Sequence, residues 1–126
     1  MAKFPSMIPV YTTRGDVDAF FVYPYLYNRQ GEWIGWVTDD RCVYSVHGHY
    51  VGWLADGPRI LRKIADSFDR PRIAVTPPEE RTVRMPATVP LAPLMPELAH
   101  GVVDVLLEAP DLLPPVDFGD LREDMD

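Results

Sequence analysis

From Tyr11 to Leu54 the chain alternates short apolar or aromatic runs with tight polar breaks. Tyr23, Tyr25 and Tyr27 fall two apart, as do Ile34 and Trp36, so each set lines one face of an extended segment. The breaks "RGD", "RQGE" and "HGH" each carry a glycine, and "TDDR" and "ADGP" have the same turn chemistry. Period-two aromatic arms around glycine turns predict β-hairpins. The pattern also repeats. "YNRQGEWIGWV" from Tyr27 returns as "YSVHGHYVGWL" from Tyr44, 17 positions on, superposing Gly31 on Gly48, Gly35 on Gly52 and Trp36 on Trp53. A fair copy precedes them, with Tyr11 and Gly15 at an offset of 16. A further step lands on Ile60-Leu61 and Phe68, where the glycines are lost.

A repeat of this length holds two strands of about five residues and two short turns. One hairpin cannot bury its own apolar face, and an open row of hairpins leaves adhesive edges. Four around an axis solve both problems. The expected fold is therefore all-β: residues 8–70 form a shallow pseudo-symmetric barrel of about four short antiparallel hairpins, with Tyr27 equivalent to Tyr44. Gly35 and Gly52, inside strands, mark bulges or close backbone approach. The fourth copy has two readings. "GPRILRKIADSFDRP" spaces Ile60, Leu61, Ile64 and Phe68 as a helix would, with Pro58 in its first turn and Pro71 as its stop. The phase of the repeat instead makes Arg59–Lys63 a strand, and this is the reading favoured.

These repeats resemble the four-fold beta-flower family, on Tyr11/Gly15, Tyr27/Gly31/Gly35/Trp36 and Tyr44/Gly48/Gly52/Trp53. The resemblance implies a ring of hairpin petals followed by a Pro/Arg-rich tail. It implies no catalytic residues. The fold is distantly like tubby-type barrels, some of which bind membrane lipids, an analogy of fold alone. The departure from the pattern is the fourth copy, which keeps no glycine.

Composition changes along the chain. Eleven of 14 aromatics lie between Tyr11 and Trp53, and ten of 14 prolines at or after Pro71. A Pro-rich extended segment is expected over 71–96, and an acidic tail with a short helix over 97–126. Pro90, Pro93 and Pro96 recur at the period of polyproline II. Val89, Ala92, Met95 and Leu98 then share one edge, and Leu91, Leu94 and Glu97 another. In "HGVVDVLLEAP", Val102/Leu106 and Val103/Leu107 pair at helical spacing. A plain solubilising tail is the competing explanation, but the segment is too apolar for one. A ring of some 60 residues is also marginal as a core. Residues 89–113 are therefore expected to cover apolar barrel surface, in the same subunit or a second one. The acidic end would stay solvated, near the basic stretch 59–84.

The net charge of −7 divides into +1 over residues 1–94 and −8 beyond, which argues against nucleic acid as a partner. The lone Cys42 excludes an internal disulfide and suits a reducing compartment. With no apolar leader or membrane span in view, the expected location is cytoplasmic and no transmembrane segment is expected. His47 and His49 flank a hairpin tip without the further ligands a zinc site needs, so no metal is expected. No phosphate loop, dinucleotide motif or nucleophile elbow occurs, and no cofactor is expected.

The leading expectation is a non-catalytic protein-interaction or scaffold module, with a protein partner or self-association. Its candidate surface comprises Trp33, Pro90, Pro93, Met95, Pro96 and Leu98. The alternative is a barrel binding a small ligand or lipid headgroup, and third comes an enzyme of unnamed class. Petal packing competes with a surface role for Trp33, Trp36 and Trp53.

Overall fold

The computed structural model describes residues 7–65, 71–79 and 82–115. Seven strands form an antiparallel meander: β1 (Ile8–Tyr11), β2 (Val17–Val22), β3 (Tyr25–Asn28), β4 (Trp33–Val37), β5 (Cys42–Ser45), β6 (Tyr50–Ala55) and β7 (Arg59–Lys63). An eighth, β8 (Val102–Asp104), arrives from far downstream and pairs with β7. The fourth copy is thus a strand over Arg59–Lys63, as the repeat phase required. Phe68 lies outside the described residues.

The first three petals close on one turn design. Thr12, Asn28 and Ser45 each accept from a glycine N–H three residues on and donate to a carbonyl four residues on. Gly15, Gly31 and Gly48 supply the positive φ that this turn needs. Polar side chains reinforce it: Asn28 Oδ1 accepts from Gln30 and Glu32 N–H, and Ser45 Oγ from His47 and His49 N–H. The turn between petals, Thr38–Cys42, has the same bonds, with Arg41 at φ 68 where the others place glycine.

Each of these petals also carries a bulge at the same place. The pairing register slips once in β1–β2, β3–β4 and β5–β6, leaving Asp18, Ile34 and Val51 unpaired. Bulges add bend and twist, and three of them in phase curl the sheet. The residue after each bulge is small: Ala19, Gly35, Gly52. A Cβ on Gly52 would lie 2.0 Å from the Leu61 carbonyl oxygen, and one on Gly35 2.5 Å from that of Tyr44. The pseudo-symmetry reaches single pairs, since Trp36 opposite Tyr44 maps onto Trp53 opposite Leu61.

The curled sheet surrounds a core that includes Val10, Phe21, Leu26, Ile34, Val43, Val51 and Ile60. Tyr11 N–H donates to Pro58 O at 2.9 Å, bringing the first strand round to the last turn of the meander. At this seam Asp104, fully buried, accepts from Thr13 N–H at 2.6 Å and from its hydroxyl at 2.7 Å. The buried Arg59 guanidinium donates to the same hydroxyl at 3.2 Å.

The fourth petal is split. Its first arm is β7, and its second, β8, follows only after residues 64–101. After β8 come a one-turn helix α1 (Val105–Glu108) and a 3-10 turn (Pro110–Leu112). The helical spacing from Val102 therefore yields helix only from Val105, because residues 102–104 pair with the open edge of β7. Val105, Leu106 and Leu113 enter the core and fill the barrel interior. The acidic end beyond residue 115 lies outside the described residues.

Between β7 and β8 the chain returns over the petal tips in reverse order. Ile73 N–H donates to Gly48 O, and Val83 N–H to Gly31 O. Ala92 then lies beside Gly15, and Met95 beside Gly57. Side chains fasten the strap at intervals. Arg72 donates to His47 O, Tyr25 hydroxyl to Thr76 O, Tyr11 hydroxyl to Pro90 O and Arg59 to Pro96 O. Of the apolar residues in 89–113, Val105, Leu106 and Leu113 join the core of the chain's own barrel, whereas Leu91 and Leu94 stay in solvent.

Candidate interaction surface

The strap between Val89 and Leu98 is read most directly through its exposure. Val89, Ala92, Met95 and Leu98 are half-buried, while Leu91, Leu94 and Glu97 are exposed, as are Pro90, Pro93 and Pro96. This three-residue phase is that of polyproline II with one edge on the barrel. The leucine edge is wholly in solvent: Leu91 retains 95% of its accessible surface and Leu94 105%. Hydroxyl and guanidinium bonds to the Pro90 and Pro96 carbonyls hold the segment at both ends. The result is an extended apolar ridge on a folded base, with little ordering cost left for binding.

Pro90, Pro93, Met95, Pro96 and Leu98 are thus brought together on one strap, with Met95 and Leu98 turned toward the barrel. Trp33 is not among them. It is 3% exposed, donates its indole N–H to Gly35 O at 2.8 Å, and meets Tyr25 edge-on. Its role here is petal packing. Trp36 is half-buried and stacked on Tyr44 at 5.1 Å. Leu91 and Leu94 carry the exposed apolar area in place of Trp33, and the proline phase is the signal that places them.

Upstream of the ridge the same strap forms one wall of a groove of about 690 Å³. Pro9, Phe20 and Val22 make the other wall, Val83, Pro86 and Val89 line the strap side, and Arg84 brings a cation to it. A second cavity, about 390 Å³, lies between His47, His49 and Tyr50 on one side and Asp111 and Leu112 on the other. Among the described residues no three His, Cys, Asp or Glu side chains are grouped to hold a metal ion. Cys42 is a half-buried free thiol on β5.

Charge at the seam and turns has local causes. Burial raises the Asp18 pKa above the ordinary carboxylate value; Arg29 opposes this, and Asp104 and Asp16 add to it. The Thr38 hydroxyl lowers that of Asp40, and the bond to Asp39 raises that of the Tyr23 phenol. Among the described residues these shifts fall on separate turns and strands. Among the described residues no helix is long and apolar enough to cross a membrane.

Hairpins in phase, in-register bulges, a curled sheet and a tail returning over the petal tips define a pseudo-fourfold hairpin barrel. The chain belongs to the 4-fold beta flower protein family, whose pattern it matches over residues 8–101. That span runs past the meander and takes in the strap. No curated protein and no solved structure matches the chain.

Proposed function

We propose that this chain is a non-catalytic protein-interaction module, in which the petal barrel is a base and the strap ridge is the contact surface. The observation that carries the reading is the three-residue phase of exposure from Val89 to Leu98, with Leu91 and Leu94 in full solvent. Exposed apolar residues in a row, on a backbone already extended and fastened, suit recognition of a polyproline II segment by an apolar groove. The half-buried residues before each proline face the barrel, so a partner reads the Pro90-Leu91 and Pro93-Leu94 steps. The competing reading, a ligand held inside the barrel, has little room, because Val105, Leu106 and Leu113 occupy the interior.

The test is affinity purification from native lysate with the wild-type chain and a Leu91→Asp/Leu94→Asp variant. Proteins retained by the first and lost with the second are expected. Identical retained sets would remove the ridge from consideration as the contact surface.

A further inference from the structure

The ridge and the groove lie end to end on one strap. Val83, Arg84, Pro86, Thr88, Val89 and Pro90 line the groove, and Leu91, Leu94 and Glu97 form the ridge that follows. The groove is apolar with one cation, Arg84, and the ridge is apolar with one anion, Glu97. Both charges are exposed, and neither has an ion-pair partner among the described residues. We propose that the occupant of the groove is the ridge of a second copy of this chain, the two straps crossing antiparallel about a two-fold axis between Pro90 and Leu91.

The register follows from arithmetic on the sequence. Antiparallel crossing at that point sets Leu91 against Pro90 of the second copy, Leu94 against Ala87 and Glu97 against Arg84. Leu91 then meets the groove-lining Pro90, Leu94 falls between the groove-lining Pro86 and Thr88, and opposite charges meet at each end. The arrangement is isologous: each copy gives a ridge and receives one, so the assembly closes as a dimer. At about 3.1 Å per extended residue, Arg84 and Glu97 are some 40 Å apart along the strap, long enough for two separate ion pairs. An interface of one strap per copy is at the low end of specific contacts, below about 1,200 Å² in total, so the dimer is reversible and concentration-dependent.

This inference rests on the proposed contact surface and names its partner. Sedimentation velocity of the purified full chain, from low to high micromolar concentration, is expected to show a monomer–dimer equilibrium. Leu91→Asp/Leu94→Asp should be monomeric throughout, with an unchanged melting temperature, because both side chains are in solvent. Glu97→Arg should weaken the dimer at least about tenfold, and Arg84→Glu in the same chain should restore it to within about threefold. A wild-type chain that stays monomeric would overturn the dimer, as would a dimer indifferent to these changes. The interaction module would still stand if a lysate partner depended on Leu91 and Leu94.

Discussion

The first three petals and the fourth reach similar pairing by different routes. In the first three, a five-residue turn joins the two arms, and a glycine near each tip makes the turn cheap to form. In the fourth, β7 waits for β8 across residues 64–101. Contacts within a hairpin are local and close early, whereas the last petal carries the cost of closing a long loop. The segment that completes the fourth petal also brings a buried carboxylate to the seam and, just after it, three further apolar side chains to the core that the other petals share. Closing the ring and filling its core are thus one event, governed by the segment after the strap.

Stopping the chain after Ala99 should break this dependence with the largest effect. The truncation removes the partner of β7, the Asp104 bonds to Thr13, and Val105, Leu106 and Leu113 from the core. Truncating one buried aliphatic to alanine costs about 2–5 kcal/mol. Losing three, with a strand, exceeds the stability of about 5–15 kcal/mol typical of a small domain. The truncated chain should bind a hydrophobic dye and lack a cooperative denaturation curve. A sharp transition at the wild-type midpoint would mean that three petals suffice.

A smaller effect sharpens the comparison between petal tips and strap. Gly15 and Gly31 have similar φ, +91 and +83, so alanine at either carries the same left-handed cost of about 1 kcal/mol. Their surroundings differ. A Cβ on Gly31 would sit 2.0 Å from the Val83 carbonyl oxygen, while one on Gly15 meets only Ala92 Cβ at 3.8 Å. The excess loss in Gly31→Ala over Gly15→Ala therefore measures the grip of the strap, about 1–3 kcal/mol if it cannot move aside. Equal losses in urea denaturation, with fast amide exchange at Val83, would show that the strap lifts freely.

Much of the barrel was legible because its determinants are local. A turn glycine, alternating arms and a fixed step are written within each copy, and the phase alone located the strand Arg59–Lys63. The three edges of the proline segment were legible for the same reason. The second arm of the fourth petal was not. Val102 to Leu107 has helical spacing, and only the open edge of β7, far away in sequence, makes its first residues a strand. Trp33 misled as a surface residue because an aromatic in a β arm looks the same whether it packs inside a petal or faces a partner. The strap's path over the tips depends on carbonyls of Gly31 and Gly48, which leave no side-chain signature.

The smallest predicted effect concerns the one polar residue among the equivalent bulges. Where the second and third petals place Ile34 and Val51 in the core, the first places Asp18, half-buried. Its pKa is raised, first by burial, with Asp104 and Asp16 adding and Arg29 opposing. The folded state therefore holds the Asp18 proton more tightly than the unfolded chain does. The stability linked to that proton is fully present below the unfolded value of about 3.9 and is lost as pH rises through the raised folded value. At neutral pH the charge on Asp18 costs stability. Asp18→Asn removes the charge at nearly constant shape, so the variant should be more stable than wild type at pH 7. The margin should be under about 1 kcal/mol, because the carboxylate keeps much of its contact with water. It should shrink as pH falls through the raised folded value and be gone below about 3.9, where Asp18 is neutral in both the folded and the unfolded chain. Denaturation midpoints of both proteins across this range test the sign. A variant less stable at pH 7 would mean that attraction to Arg29 outweighs burial, and that the first petal tolerates its charge by pairing it.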